Sequence, residues 1–240
     1  MPYTGHPRDI SESRLEHEIA QCSEPVLLRE LVELARKHFG FFSRYTSHFL
    51  TNPWIASRLS GLAAGTRVLD IGSGLGPLPI WLAMRGIEVD CVDNSPIVRA
   101  YPIADDWNEW GFFDFSIINT KMKSFHTGID NFEPSKPYDA ISSIGVFAHI
   151  ERAERVRVLK KCASWLKREG RIVMTLDVIA NTSFLWNRLN KKELASPPEH
   201  GSMMDLMQTM DAIGLRIEDP TLIRRIPERP DTFMVMGIKV

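Results

Sequence analysis

Cysteine is scarce in this chain: Cys22, Cys91 and Cys162 are the only three in 240 residues. They are odd in number, widely spaced and free of any C-x-x-C pair, which excludes a disulfide scaffold and offers no zinc or dithiol motif. They are expected as reduced thiols in the core. Long apolar runs are missing as well; no window approaches 18 uninterrupted apolar residues, so no membrane-crossing helix is expected. The opening stretch, MPYTGHPRDISESRLEHE, lacks the basic end and apolar run of a secretory leader. A cytoplasmic location without a membrane partner is the resulting expectation. Excess charge of one sign is also absent: 29 Lys and Arg stand against 30 Asp and Glu. That balance gives no whole-molecule pull toward a polyanion, so nucleic acid is not an expected partner. There is no internal repeat and no low-complexity tract.

What is present reads as an ordinary globular chain, with 44% hydrophobic and 25% charged residues. The length suits one large domain carrying an extra helical cap. Residues 1–65 look helical. SRLE from Ser13 to Glu16 has capping-box spacing, and Pro25 opens a stretch in which Leu27, Leu28, Leu31, Leu34 and Ala35 recur at helical spacing before Gly40. Residues 1–65 are therefore expected to form a cap and residues 66–240 the main domain.

From Thr66 onward, strands alternate with helices. Strands are predicted at Arg67–Ile71, Glu88–Asp93, Asp114–Ile118, Tyr138–Ser143 and Arg171–Asp177, with a helix between the last two that stops at Gly170. Such alternation implies crossovers and a parallel sheet covered on both faces. Near the end, SMMDLMQTMDAIG is a helix closed by Gly214, and LRIED and TFMVMGIKV follow with no room for a long helix between them. Those two are expected to pair antiparallel. The expected architecture is α/β, with a mostly parallel seven-stranded sheet.

The chemistry concentrates in RVLDIGSGLGPLPIWLAMRG, residues 67–86. Gly72, Gly74 and Gly76 form G-x-G-x-G, one residue short of the G-x-G-x-x-G dinucleotide fingerprint. Asp70 precedes them by two residues. A carboxylate there repels a diphosphate and suits a ligand carrying an ammonium group. Asp93 ends the second strand 21 residues after Gly72, the distance at which an acid accepts hydrogen bonds from ribose hydroxyls. S-adenosylmethionine, which has an ammonium, a sulfonium and no phosphate, fits both acids.

VLDIGSGLG, then VDCVDNSP, then YDAISSIGVFAHI, then VLKKCASWLKREGRIVMTLD together resemble the class I, Rossmann-like methyltransferases that use S-adenosylmethionine, in particular the branch acting on small molecules. The likeness covers residues 66–177 and, more loosely, 203–240. It implies a doubly wound fold with an antiparallel C-terminal strand pair. It also implies that Asp70, Gly72, Ser73, Gly74 and Gly76 line the methionine part, that Asp93 holds the ribose, and that Asn94 lies beside the adenine. Ser143, Ile144 and Gly145 then face the sulfonium side. His149 occupies the histidine of the family's EHI or EHL pattern, with Ala148 in place of the glutamate.

Two stretches depart from that pattern. The family usually has a Gly-Asp pair after the third strand, whose acid meets the adenine amine; here IINTKMKSF stands there, which leaves the contact to Asn119, Thr120 or Met122. Between the second and third strands, YPIADDWNEWGFFDF has Pro102, Trp107 and Trp110 where a plain surface helix is usual. The tryptophans read as packing of an irregular connection, with an adenine or substrate wall as the other reading.

Methyl transfer from a sulfonium asks mainly for alignment in a site shielded from water. Should the acceptor need to lose a proton, His149 is the candidate base, ahead of His126 and His200; hydrogen bonding to backbone at a helix start is its competing role. Substrate contacts are expected from the long connection after the fifth strand, through Asp177, Asn181, Trp186 and Arg188, and from Tyr45 on the N-terminal side. No metal is called for. The chain lacks the Asn/Asp-Pro-Pro-Tyr/Phe motif of nucleic-acid amine methylases and the Pro-Cys pair of cytosine-ring methylases, so a small acceptor, methylated on O, N or C, is expected. The alternatives are an NAD-dependent oxidoreductase, disfavoured by Asp70, the glycine spacing and the lack of a Tyr-x-x-x-Lys pattern, and a non-catalytic accessory protein of the same fold.

Overall fold

The computed structural model describes residues 6–43, 45, 47–98, 110–189, 192–224 and 230–240. Its main sheet has seven strands: β1 (Arg67–Ile71), β2 (Glu88–Asp93), β3 (Met122–His126), β4 (Tyr138–Ile144), β5 (Leu166–Val178), β8 (Leu215–Ile223) and β9 (Asp231–Lys239). Their order is β3-β2-β1-β4-β5-β9-β8. The chain winds outward from β1, returns to β4, and so reverses direction between β1 and β4, the kind of switch point where open α/β sheets hold ligands. Two short strands, β6 (Arg188–Leu189) and β7 (Lys192–Glu193), pair separately. Packing groups the chain into two compact units, Met1–Thr66 with Gly72–Gly128, and Arg67–Ile71 with Ile129–Val240.

In the first unit, α1 (Glu12–Gln21) starts at Ser11, whose side chain accepts from the Arg14 amide, so the cap stands two residues before the predicted Ser13. Helix α2 (Pro25–Phe39) runs from Pro25 to a stop at Gly40 as its sequence predicts, and buries Leu28, Leu31, Val32, Leu34, Ala35 and Phe39. Asp9 ties the chain before α1 to the end of α2, accepting from Arg36 Nε at 2.9 Å and from the Phe42 amide at 2.6 Å. After α3 (His48–Leu59) comes the short α4 (Leu78–Met84). Its Trp81 donates to Glu30 of α2 at 2.8 Å, and Arg85 both reaches Glu30 and lies 3.8 Å over the Trp81 ring.

The third strand is not where the sequence pattern placed it. Residues 115–117 form a 3₁₀ turn capped by Asp114, whose carboxylate accepts from the Ser116 amide, and the Asn119 side chain accepts from the Lys121 amide in the following turn. Phe115 is buried and Ile117 is not, so the apolar run FSII has no strand-like alternation. Phe39, Phe113 and Phe115 pack edge to face instead. The actual β3 pairs in parallel with β2, Val89 against Met122 and Asp93 against His126.

In the second unit, β1, β4 and β5 are parallel and β9 is antiparallel to both β5 and β8, which confirms the predicted terminal pair. Helix α5 (Arg152–Trp165) joins β4 to β5 and buries Val158, Leu159, Cys162 and Ala163. It ends at Trp165, and β5 begins at once, so the predicted stop at Gly170 is corrected. Gly170 serves a different purpose: the register slips between Tyr138 and Ala140 of β4, and a Cβ at Gly170 would lie 2.8 Å from the Lys167 carbonyl oxygen and 3.2 Å from that of Asp139. After α6 (Pro197–His200), α7 (Met203–Ala212) is opened by a reciprocal Ser202–Asp205 capping box. All three thiols are free of disulfides, with Cys91 and Cys162 buried and Cys22 half-buried. No helix among the described residues is long and apolar enough to cross a membrane.

Candidate cofactor and acceptor site

The glycine loop leaves β1 and folds back on β2 within the first unit. The Gly72 amide donates to the Val92 carbonyl at 2.7 Å and the Gly76 amide to the Ser73 carbonyl at 3.0 Å. Gly72 and Gly74 have φ of 69° and 48°, and a Cβ on Gly76 would lie 2.9 Å from the Ser73 oxygen. No side chain fits there without moving the loop. Asp93, 8% exposed at the end of β2, accepts from the Gly74 amide through Oδ2 at 2.8 Å and from the Ser95 amide through Oδ1 at 2.7 Å. A carboxylate has about four lone-pair positions, so each oxygen keeps one for a ligand hydroxyl. The predicted ribose acid is thus built into the loop it was expected to serve.

Exposed Asn94 and half-buried Ser95 follow directly. Beside them, the Ser95 carbonyl lies 2.9 Å from His126 Nε2, the Thr127 amide donates to the Asp93 carbonyl at 3.1 Å, and the His126 ring packs 4.7 Å from Phe112. The moved third strand changes which residues stand at the Asp93 end of the sheet. Asn119 and Thr120 precede β3, and Met122 begins it opposite Val89, about 13 Å along the strand from the Asp93 end; Met122 is also 1% exposed. The residues at the Asp93 end of β3 are His126 and Thr127, which the sequence pattern did not place there. The turn-forming Asp114 and Asn119 were the signal for them. Trp107 and Pro102 lie outside the described residues. Tyr45 is exposed, with its ring 5.3 Å from that of Trp110 and 5.9 Å from that of His48; burial holds the His48 imidazole down at about 4, so it is neutral at ordinary pH.

The second unit holds the other half of the expected residues. Asp70, 4% exposed, accepts from the Ser142 hydroxyl at 2.6 Å across the β1–β4 pair. Ser143 is fully buried and its hydroxyl donates to the Ile71 carbonyl at 3.2 Å. Half-buried Ile144 ends β4. The Gly145 amide then reaches the Thr175 carbonyl at 2.9 Å with a φ of 69°, and a Cβ added there would meet no protein atom within 4 Å.

His149 ends a 3₁₀ turn at Phe147–His149. Burial pushes its pKa down; the Arg188 backbone, which takes a hydrogen bond from the ring, pulls the other way, and nearby His200 adds to the depression. Its Nδ1 is buried without a partner. Arg188 contributes this backbone group while its side chain is exposed. Fully buried His200 pairs through Nε2 with the Ala148 carbonyl at 2.9 Å, and Arg155, 4% exposed, donates to the His200 carbonyl at 2.7 Å. Asn187 bonds the Ala195 carbonyl at 2.7 Å and the Glu193 carboxylate at 3.1 Å. These bonds pin the connection after β5 at several points. Within it, exposed Asn181 sits at φ 61° with its amide on Asp231, and the half-buried Trp186 donates its amide to the Asp177 carbonyl at 2.9 Å. Burial raises the Asp177 carboxyl to about 6.

A family model described as a methyltransferase domain matches residues 42–219. The chain belongs to this methyltransferase family. Solved methyltransferases share the fold. The Burkholderia thailandensis 1,6-didemethyltoxoflavin-N1-methyltransferase, solved with S-adenosylhomocysteine and 1,6-didemethyltoxoflavin, is 16% identical over 78% of this chain and 75% of its own, with a TM-score of 0.56. A TehB-like SAM-dependent methyltransferase from Corynebacterium glutamicum is 16% identical over 77% of this chain and 87% of its own, with a TM-score of 0.52. A 42-residue stretch is 48% identical to the 23S rRNA (uracil(1939)-C(5))-methyltransferase RlmD of Halomonas elongata; the match spans 18% of this chain and 9% of that relative's length.

Proposed function

We propose that this protein is an S-adenosylmethionine-dependent methyltransferase acting on O, N or C of a small-molecule acceptor. The observation that carries the reading is the Asp93 carboxylate, bonded to the Gly74 and Ser95 amides with lone pairs to spare, in a chain that places a second acid, Asp70, two residues before Gly72. A diphosphate is repelled by such a loop and a sulfonium amino acid is not.

When bound, the cofactor supplies an electrophilic methyl group on a positively charged sulfur. Asp93 holds the ribose hydroxyls, Asp70 the ammonium, and the backbone of Gly72, Ser73, Gly74 and Gly76 closes on the methionine part. Asn94, Ser95, His126 and Thr127 take the adenine edge in place of the usual acid. Gly145 leaves room for the reacting methyl, flanked by Ser143 and Ile144. His149 is the candidate base for an acceptor that must lose a proton: one ring nitrogen bonds the Arg188 backbone, and the buried Nδ1 has no partner. Residues 1–65, through Tyr45, and the connection carrying Asp177, Asn181, Trp186 and Arg188 serve the acceptor. The reaction requires no metal. The near-zero net charge supports a small acceptor over a nucleic acid or an anionic membrane surface.

Incubation of the purified chain with methyl-labelled S-adenosylmethionine and separate pools of small metabolites, RNA and protein tests the acceptor class. Label appearing in the small-molecule fraction is the expected result. Label confined to RNA would transfer the assignment to nucleic acid, in line with the local likeness to the rRNA enzyme.

A further inference from the structure

The Asp177 carboxylate stands alone. Other buried carboxylates in the chain have partners: Asp93 has two amides, Asp70 has Ser142, Glu18 has Arg14 at 3.0 Å, and Asp231 has the Asn181 amide with Arg224 at 3.8 Å. Among the described residues, no hydrogen-bond donor or cation reaches the Asp177 side chain, and burial is the whole cause of its raised pKa. A half-buried charge left uncompensated costs free energy in the empty protein, and such a cost persists where a ligand later supplies the missing partner.

Register places this carboxylate on a defined face. Asp70 pairs with Ser142 of β4, and Ser142 pairs with Val173 of β5; the Ser142–Asp70 hydrogen bond confirms that those side chains share a face. Side chains alternate along a strand, so Val173, Thr175 and Asp177 project to that same face. Asp177 is therefore two strands across from Asp70, about 10 Å, and roughly 13 Å further toward the carboxyl end of the sheet. The open space at Gly145 lies between them in strand order, since the Gly145 amide bonds the Thr175 carbonyl.

We infer that Asp177 binds the acceptor nitrogen of an amine substrate, so that this methyltransferase is an N-methyltransferase. The inference rests on the methyltransferase reading above. The neutral amine enters with an N–H donated to the carboxylate. Its lone pair forms the new N–C bond as the donor's C–S bond breaks, the electron pair remaining on sulfur. Positive charge thus leaves sulfur and arrives on nitrogen, beside the only unpaired carboxylate on that face among the described residues, which favours the transition state over the ground state. The product leaves as an N-methylammonium or sheds its proton to water.

The test uses the full chain saturated with S-adenosylhomocysteine and titrated with matched probes: primary and secondary alkyl and aryl amines, each beside the alcohol and the carboxylic acid of the same skeleton. At least one amine is expected to bind about tenfold or more tighter than its alcohol, and Asp177→Asn is expected to erase that preference while S-adenosylhomocysteine binds as before. Alcohols or acids preferred over amines, no amine bound at all, or an amine preference surviving in Asp177→Asn would each overturn the inference. Failure of the parent chain to bind S-adenosylhomocysteine would overturn the methyltransferase reading itself, so the two failures are told apart. The retained S-adenosylhomocysteine affinity of Asp177→Asn also reports that the variant is folded.

Discussion

Asp93 Oδ2 lies 2.8 Å from the Gly74 amide nitrogen. The acid proposed to hold the cofactor's ribose is therefore also the clamp that shapes the glycine loop, so one carboxylate would serve both roles. Replacing Asp93 by Ala is expected to weaken S-adenosylhomocysteine binding by about 1.5–3 kcal/mol, the range for hydrogen bonds to a charged group. It is also expected to speed hydrogen exchange at the Gly74 amide. Calorimetry and exchange measure these separately; unchanged affinity with faster exchange would confine Asp93 to the clamp.

Gly76→Ala tests the loop without touching a charge. The added Cβ meets the Ser73 oxygen at 2.9 Å, and relieving the contact requires a backbone shift. A loss of about 1–3 kcal/mol in urea unfolding, accompanied by weaker cofactor binding, is the expected outcome. Full affinity in this variant would show that the loop geometry is not what the ligand reads.

Titration of buried histidines, His149 and His200 among them, gives stability a defined pH slope. Burial lowers the pKa of both His149 and His200 below the ordinary value of 6.5, so below that value the unfolded chain binds more protons than the folded one. Their contribution is intact above about pH 6.5 and is lost as pH falls. The urea midpoint is expected to drop between about pH 7.5 and pH 5.5, and the double variant His149→Gln, His200→Gln to lessen that drop, because Gln retains a donor without titrating while buried His48, held at about 4, still contributes. An equal drop in the double variant would place the proton uptake elsewhere.

Asp177 has the opposite sign. Its carboxyl is raised from 3.8 to about 6, so the folded chain holds a proton that the unfolded chain has released, and stability is lost as pH rises from about 4 to about 6. Asp177→Asn is expected to be more stable than the parent near neutral pH, by on the order of 1–3 kcal/mol, and equal to it near pH 3.5. Thermal unfolding at the two pH values measures this; a variant less stable near neutrality would show that the carboxylate has a partner in solution.

Local patterns carried much of the architecture. The Pro25 start and Gly40 stop of α2, the strands β1, β2 and β4, and the antiparallel β8–β9 pair were legible because each rests on residues close together in the chain. So was the glycine loop with Asp93, whose spacing alone carries the signal. The third strand was misplaced because Phe115, Ile117 and Ile118 form an apolar run whose fate depends on the turn chemistry of Asp114 and Asn119 on either side. That single shift put His126 and Thr127, instead of Asn119–Met122, at the Asp93 end of the sheet. Gly170 was misread as a helix stop because its real constraint, the Lys167 and Asp139 carbonyls, involves a neighbouring strand. The bond from His149 to Arg188 and the isolation of Asp177 depend on segments that only the folded chain brings together.

Calorimetric titration of the purified chain with S-adenosylmethionine, S-adenosylhomocysteine and NAD tests the central claim most directly. The account predicts saturable binding of the two sulfur nucleosides, weakened in Asp93→Ala, and no heat with NAD. Binding of NAD with neither sulfur nucleoside bound would contradict it.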